Sequence, residues 1–356
     1  MSLVEKLDAV SPSTREECIK LLSELLLSED RASAANALYE LSDRAPLIGY
    51  PLIRQVLVRL KQLCFENGRP DVMNQQLLRN MRVHEFVLGF LSVPYDKKND
   101  TEMPKLITLS HEFLRSFCRD NRDNQNCLHK HISIDADVKE GSLHVTTIEE
   151  VATLTSIYKN NRELCENASE ELIQHIVNLI EHKTRSAVFL EFLQCVVSVR
   201  GKEIEMSQER VAQEICSASD EVRVFYADSA SFEQLVQMMQ NTPPEELIAD
   251  NPLRYHIELV RLLAMCTRGK NGNTELKCAS QLPMDHIVRV VTSSHCLVQV
   301  KEVYLQFMLH CYIDTDAEMK DVYNVDYIEQ ILKNILSDII KMMSLNAFTL
   351  PQYFSS

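Results

Sequence analysis

The apolar residues of this chain recur at intervals of three and four, which is the spacing of one face of an α-helix. Residues 328–343 show this pattern most clearly, with isoleucine, leucine and methionine on one side. Residues 52–63 and 300–311 repeat it, and residues 254–266 are apolar on more than one side, as expected of a helix wedged between neighbours. The pattern therefore predicts a helical chain.

Signals for helix starts agree with the periodicity. Ser13 with Glu16, and Thr147 with Glu150, have the spacing of a capping box, in which a hydroxyl and a carboxylate satisfy amide groups of the first turn. Asn251 followed by Pro252 resembles an N-cap with proline at the first helical position. We expect roughly fifteen helices of about 10–20 residues, joined by short polar links.

Two segments interrupt the helical pattern. Residues 133–147 are polar around a central glycine and predict an exposed loop, whereas residues 241–251 contain two consecutive prolines that end the preceding helix. Neither segment is long enough to require separate domains. Because helix pairs bury their apolar faces by stacking on their neighbours, we expect an all-α, armadillo-like α-solenoid of stacked helix pairs. A compact helical bundle is the alternative.

Composition narrows the classes of function. The 356 residues include only 7 glycines and 11 prolines, which argues against β-sandwiches and glycine-rich phosphate loops. The net charge of −14 disfavours nucleic-acid binding, which needs clustered lysine and arginine. The 11 cysteines form no CxxC pair, so we expect reduced, mostly buried thiols in a cytosolic protein.

Neither a secretory signal nor a membrane span is expected from the sequence. Glu5, Lys6 and Asp8 lie where a signal peptide would be apolar. No run of about 18 apolar residues occurs, and the charge-free residues 342–356 include asparagine, proline and glutamine. We therefore expect a water-exposed chain that does not insert into a membrane.

The histidines offer weak candidates for a site. His129 and His131 flank Lys130, but two histidines at i and i+2 of a helix face different directions and cannot chelate a metal together. A basic helix end is the favoured interpretation. His111 and Glu112 do not open a zinc-protease motif, because Arg115 occupies the position of the second histidine.

Two acidic segments fail the test for a calcium loop. Residues 135–146 place glycine one position too late for an EF-hand and threonine where the bidentate glutamate belongs. Residues 314–319 carry methionine at the required glycine. Solvated carboxylates are the favoured interpretation of both segments, with a loose calcium site as the alternative.

The remaining motifs also favour structural roles. Residues 268–273 lack the flanking residues of a nucleotide-binding loop, and Ser169 in the glycosylation-like triplet 167–169 is predicted to cap a helix that begins at Glu170. Cys118 and Cys278 neighbour basic residues but are more typical of packing positions. Spacing predicts no catalytic, cofactor-binding or metal site, so an enzyme is the least favoured class.

Several polar phrases resemble the inositol 1,4,5-trisphosphate receptor family, in the central armadillo region of the type that it shares with ryanodine receptors. Four of them are LLRNM (77–81), HEFLRSFC (111–118), CLHKHI (127–132) and HCYIDTDAEMKDVY (310–323). The match continues through residues 224–239, 251–271, 274–278 and 282–292, and covers about two thirds of the chain.

The resemblance implies a regulatory and structural cytosolic segment of a tetrameric calcium-release channel in the endoplasmic reticulum membrane. It implies adjoining receptor domains and subunits as partners, with no pore and no ligand-binding core in this chain. It divides the chain into a weakly matching helical segment (1–70), a receptor-homology helical domain (71–325) and a terminal amphipathic helix with an unmatched tail (326–356). A fragment of such a receptor is the simplest interpretation. Two alternatives are a free-standing armadillo-like adaptor and a regulatory module with a calcium, nucleotide or redox site.

Overall fold

The computed structural model describes residues 46–134, 141–315 and 325–344, which divide between two compact units, Met1–Leu164 and Cys165–Ser356. Several sequence predictions lie outside the described residues: the capping box at Ser13, the acidic residues 135–140, residues 316–319, and the parts of the predicted terminal segments at 1–45 and 345–356.

The first unit contains helices of alternating length and two short strand pairs. Its elements are α1 Pro46–Leu63, β1 Phe65–Glu66, β2 Arg69–Pro70, α2 Val72–Asn80, α3 Val83–Leu91, α4 Met103–Cys118, α5 Arg122–His129, β3 Ile132–Ser133, β4 Leu143–His144, α6 Ile148–Tyr158 and α7 Arg162–Glu166, which contains the boundary. Strands β1 and β2 pair antiparallel, and β3 and β4 pair parallel.

The second unit is also helical and contains one short strand pair. Its elements are α8 Glu170–His182, α9 Ala187–Val197, β5 Ser198–Val199, β6 Lys202–Glu203, α10 Glu205–Ser217, α11 Ser229–Asn241, a 3-10 turn Pro244–Glu246, α12 Pro252–Thr267, α13 Gly272–Ala279, α14 Met284–Val291, α15 Val298–Met308, a π-helical turn Leu309–Ile313 and α16 Val325–Ser344. Strands β5 and β6 pair antiparallel.

Long helices pack on the long helices before and after them in each unit. In the first unit α4 lies between α1 and α6, and its Phe113 and Phe117 are fully buried. In the second unit α12 lies between α9 and α15, while α10 packs on α13. Truncating a buried phenylalanine of this kind to alanine costs about 3–5 kcal/mol. The all-α, armadillo-like fold of stacked helix pairs is therefore confirmed within each unit.

The predicted caps are present wherever the structure describes them. Thr147 and Glu150 form the reciprocal capping box of α6. The side chain of Asn251 accepts a 2.8 Å hydrogen bond from the amide of Leu253 at the start of α12, whose first residue is proline. Ser169 accepts from the amide of Leu172 and caps α8.

The structure differs from the sequence prediction at the segment 133–147. Leu143 and Val145 of this segment are buried, and Leu143 pairs with Ile132 in a short parallel ladder. An exposed loop was the wrong prediction for this part, because the polar residues around these two positions obscured their apolar side chains.

The amphipathic helix predicted over residues 328–343 is confirmed as α16, but most of its apolar side faces outward. Ile331 is 2% exposed, and α16 packs on α14. Leu332, Leu336 and Ile340 are 60%, 57% and 58% exposed. Periodicity identified the helix but not the extent of its packing.

Candidate functional site

Five connections between consecutive helices share one backbone feature. Each contains a non-glycine residue in the left-handed region, and these residues are Asn67, Asp120, Asn160, Arg200 and Lys270. Asparagine and aspartate tolerate this conformation best among residues with a side chain. The feature reverses the chain at equivalent places in both units, although the sequence shows no repeat of fixed period.

A buried residue with a hydrogen-bonding side chain follows each of these connections, in the first turns of the next helix. We call these five residues the helix-end clamps; they are Gln75, Gln125, Cys165, Gln208 and Glu275, and all are buried. Each lies four residues after the residue that directly precedes its helix. Their shared position makes them an internal repeat that is visible in the structure.

The first two clamps bond to the ends of helices α4 and α6. The side-chain amide of Gln75 donates to the carbonyl oxygens of Ser116 and Arg119 at 2.9 and 3.1 Å. The amide of Gln125 donates to the corresponding oxygens of Ser156 and Lys159 at 3.1 and 2.8 Å. Carbonyl groups in the last turn of a helix have no partner within the helix, so each glutamine satisfies two of them.

In the second unit, Gln208 reproduces the arrangement at the end of α12. Its side-chain amide donates to the carbonyl oxygens of Met265 and Arg268, both at 2.8 Å. Its side-chain oxygen accepts from the amide of Asn271 at 3.4 Å. Gln75 likewise accepts from Asn121 at 3.0 Å.

Cys165 and Glu275 occupy the same position in their helices, but they bond through a thiol and a carboxylate instead of a side-chain amide. The thiol of Cys165 donates to the carbonyl oxygen of Cys195 near the end of α9 at 3.5 Å. The hydroxyl of Thr315, which follows the π-helical turn, donates to the carboxylate of Glu275. Each clamp therefore joins the start of one helix to the region at the end of a later helix. Because the five clamp residues are buried, displacing one helix end strains its clamp.

A surface groove of about 480 Å³ lies beside the clamp residue Gln125. The cationic side chains in its lining are Lys61, Arg115, Arg119 and Lys159. Two of them bond to carboxylates: Lys61 lies 2.6 Å from Glu112 and Arg115 lies 2.8 Å from Glu149. The groove is thus polar and has an excess of cations, in contrast to the acidic chain as a whole.

The histidines around Lys130 separate in the structure. His129 ends α5, and its Nε2 lies 3.1 Å from the hydroxyl of Tyr158. His131 instead joins His84 and Glu85, with one potential ligand atom from each residue within 4.8 Å of the others. His129 and His131 therefore lie beside different residues. Sequence reasoning missed His84 and Glu85, since they lie more than forty residues from His131.

The remaining candidate residues from the sequence occupy structural positions. His111 is buried, with Nδ1 3.1 Å from the hydroxyl of Thr153. Arg268 bonds to Glu203 at 2.9 Å, and Lys270 lies 3.3 Å from Asp314. Two cations of the former phosphate-loop candidate therefore face carboxylates.

The surroundings of three cysteines shift the thiol pKa in different directions. Burial raises the pKa of the Cys118 thiol to about 12. A hydrogen bond from Cys278 lowers the pKa of Cys216, and the positive charges of Lys277 and Arg223 act in the same direction. The same contact and burial raise the pKa of Cys278 well above its ordinary value. The partly exposed Cys216, which sequence reasoning did not select, is therefore the more reactive member of the pair.

A buried polar group connects α12, α14 and α15. The hydroxyl of Tyr304 lies 3.1 Å from Nε2 of His256 and 3.2 Å from Nε2 of His286. Burial lowers the pKa of each histidine to about 4, so both are neutral near pH 7. This arrangement holds three helices together without a buried charge.

Comparisons with known proteins place the chain among large receptors. The RIH domain family (RYDR_ITPR) matches residues 53–222. The inositol 1,4,5-trisphosphate receptor itr-1 of Caenorhabditis elegans is 63% identical over 343 residues, which are 95% of this chain and 12% of that protein. The inositol 1,4,5-trisphosphate receptor-like protein A of Dictyostelium discoideum is 22% identical over 303 residues, or 78% of this chain and 9% of that protein. The chain thus spans about a tenth of these relatives.

A solved structure of an engineered protein covers 82% of this chain and 95% of its own, with 15% identity and a TM-score of 0.33. A score this low carries no structural argument. Among the described residues, no helix combines the length and hydrophobicity needed to cross a membrane.

Proposed function

Because this chain belongs to the inositol 1,4,5-trisphosphate receptor family, we propose that it is a cytosolic, regulatory and structural segment of a calcium-release channel. The channel is gated by inositol trisphosphate and lies in the endoplasmic reticulum membrane, with this segment on its cytoplasmic side. The observation that carries the proposal is the 63% identity to a receptor over 95% of the chain.

The proposed role is to relay the binding of ligand and calcium elsewhere in the receptor towards the pore. The helix-end clamps support this role, because each transmits a displacement of one helix end to the start of another helix. The partners are adjoining domains and subunits of a tetrameric channel. A catalytic activity is not part of the proposal.

The proposed domain division keeps the boundaries 1–70, 71–325 and 326–356. Limited proteolysis of the whole chain tests it, since exposed links between domains are cleaved first. Early cleavage near residues 70 and 325 supports the division. Early cleavage confined to the interior of the segment 71–325 contradicts it.

Gln208→Met in a full-length receptor that contains this segment tests the relay. We expect binding of inositol trisphosphate to stay within about twofold of the wild type, because the clamp lies outside any ligand-binding core. Calcium release at saturating ligand is expected to fall several-fold. Gln213→Met, on the exposed side of the same helix, is the matched control. Unchanged release in Gln208→Met, or an equal loss in the control, contradicts the relay.

A second candidate function is a free-standing, armadillo-like adaptor that binds protein partners. The cationic groove beside Gln125 favours it, since such a surface suits an acidic peptide. The transcript on either side of this chain distinguishes the two functions. A reading frame that continues into a pore region supports the channel segment, whereas transcript ends that coincide with Met1 and Ser356 support the adaptor.

A further inference from the structure

The first turn of α3 and the residues after α5 bring together side chains with the chemistry of a transition-metal site. His84 and Glu85 are adjacent on α3, and His131 lies two residues after the end of α5. Their potential ligand atoms all lie within 4.8 Å of one another. Ligand atoms of a tetrahedral zinc site are about 3.3–3.7 Å apart, given metal–ligand bonds of about 2.0–2.3 Å. Small side-chain rotations would therefore bring the three groups onto one ion.

A fourth ligand of suitable chemistry lies beside these three. The thiol of Cys127, on α5, is 3.1 Å from Nε2 of His84. Imidazole and thiolate ligands suit Zn²⁺, whereas Mg²⁺ and Ca²⁺ prefer oxygen ligands throughout. We propose that His84, Glu85 and His131 form a Zn²⁺ site, with the Cys127 thiolate as fourth ligand once the metal has displaced its proton.

Surrounding groups hold the proposed ligands in place. The ring of His84 stacks on Phe117, with centroids 5.3 Å apart and planes 17° from parallel. One carboxylate oxygen of Glu85 bonds to Arg82 at 2.8 Å, and the other faces His84 at 4.0 Å. The backbone carbonyl of His131 accepts a 2.7 Å hydrogen bond from the amide of Leu143. Contacts of this kind orient ligands and raise metal affinity.

A bound ion would cross-link α3 to α5 and thereby to the ladder of β3 and β4. It would stabilise the folded first unit by an amount that rises with the logarithm of the free zinc concentration above the dissociation constant, because the unfolded chain does not present these four groups together. This consequence is independent of the channel role, since it concerns only the folding and metal affinity of this chain.

Zinc titration of the whole 356-residue chain, reduced and freed of metal, tests the site. Glu85→Gln and His131→Gln are expected to weaken the tightest zinc binding by at least about 100-fold, because each removes a ligand. His129→Gln is the matched control, since His129 neighbours the site in sequence but contacts Tyr158. It is expected to bind zinc within about twofold of the wild type. Far-ultraviolet circular dichroism confirms the folding of each variant, and Glu85→Gln decides the question if His131→Gln does not fold.

Cobalt titration separates this site from adventitious binding to the many other cysteines and histidines. Bound Co²⁺ is expected to show the absorption of a tetrahedral ion, together with a thiolate charge-transfer band that Cys127→Ser removes. Wild-type zinc affinity in both Glu85→Gln and His131→Gln would overturn the site, as would an equal loss in His129→Gln. A charge-transfer band that persists in Cys127→Ser would exclude the fourth ligand.

Discussion

The side-chain amide of Gln208 donates a 2.8 Å hydrogen bond to the carbonyl oxygen of Arg268, which is the C-cap residue directly after α12. The two residues are sixty positions apart in the chain, and Gln208 is 1% exposed. The same contact between the start of one helix and the end of a later helix occurs for Gln75 and Gln125 in the first unit. The clamp is thus a repeated element of the fold.

Gln208→Leu should destabilise the chain. Leucine fills a similar volume but leaves the carbonyl oxygens of Met265 and Arg268 without their buried donor. The expected loss in free energy of unfolding is about 2 kcal/mol, measured by urea denaturation followed by circular dichroism. Gln213→Leu on the exposed side of α10 should stay within about 0.5 kcal/mol of the wild type. Equal stabilities of the two variants would contradict the clamp.

Stability should fall on acidification between about pH 6.5 and pH 4. Burial lowers the pKa of His111, His256 and His286 to about 4 in the folded chain. The ordinary pKa of histidine is about 6.5, so the unfolded chain binds protons in this range that the folded chain does not bind. The stabilising contribution of the neutral histidines is complete above the pKa of the unfolded chain, about 6.5, and is lost as pH falls. The loss of stability levels off below about pH 4, where the folded chain also binds these protons.

Each of these histidines is expected to contribute about 1–3 kcal/mol to that loss. Urea denaturation at pH 7.5 and at pH 5.5 measures it in the range where histidines dominate the titration. His256→Gln should reduce the difference between the two pH values, because it removes one of the depressed groups. A midpoint that does not change between pH 7.5 and pH 5.5 would show that these histidines are not buried and neutral.

Cys216 should react with iodoacetamide at least about tenfold faster than the buried cysteines near pH 7.5. The hydrogen bond from Cys278 and the charge of Lys277 lower the pKa of Cys216, whereas burial raises that of Cys266 and Cys118. Peptide mass spectrometry after brief labelling measures the order of modification. Lys277→Gln should slow the labelling of Cys216. Preferential labelling of Cys118 or Cys266 would refute the assignment.

Ile331→Ala and Leu332→Ala should differ in stability although they are adjacent on α16. Ile331 is 2% exposed and packs in the fold, so its truncation should cost about 2–4 kcal/mol. Leu332 is 60% exposed, and its truncation should change stability by less than about 0.5 kcal/mol. Thermal unfolding of both variants measures these changes in stability. A larger loss of stability in Leu332→Ala would show that the other face of α16 is buried.

Helical periodicity anticipated the described helices well. The segments 52–63 and 328–343 lie within α1 and α16, and residues 300–311 fall in α15 and the π-helical turn that follows it. Local signals also located the caps at Thr147, Ser169 and Asn251, because a cap depends on side chains within four residues of the amide that it satisfies.

Helical periodicity and local cap signals did not predict the helix-end clamps or the candidate metal site. Gln75 and Gln208 stand among other polar residues of their helices, and nothing nearby in sequence marks the carbonyl groups to which they bond. His131 was considered only together with His129, whereas the structure places it beside His84. Pairings of this kind depend on the packing of helices that are distant in the chain.

The sequence by itself determined that the chain is helical, where several helices begin and which family it resembles. These properties follow from local spacing, from caps and from phrases of consecutive residues. Only the tertiary structure decided that Gln208 reaches the end of α12, that His84 faces His131, and that Leu332 remains exposed while Ile331 is buried. The physical reason is that hydrogen bonding within a helix is set by near neighbours, whereas burial and side-chain contacts between helices are set by how those helices stack.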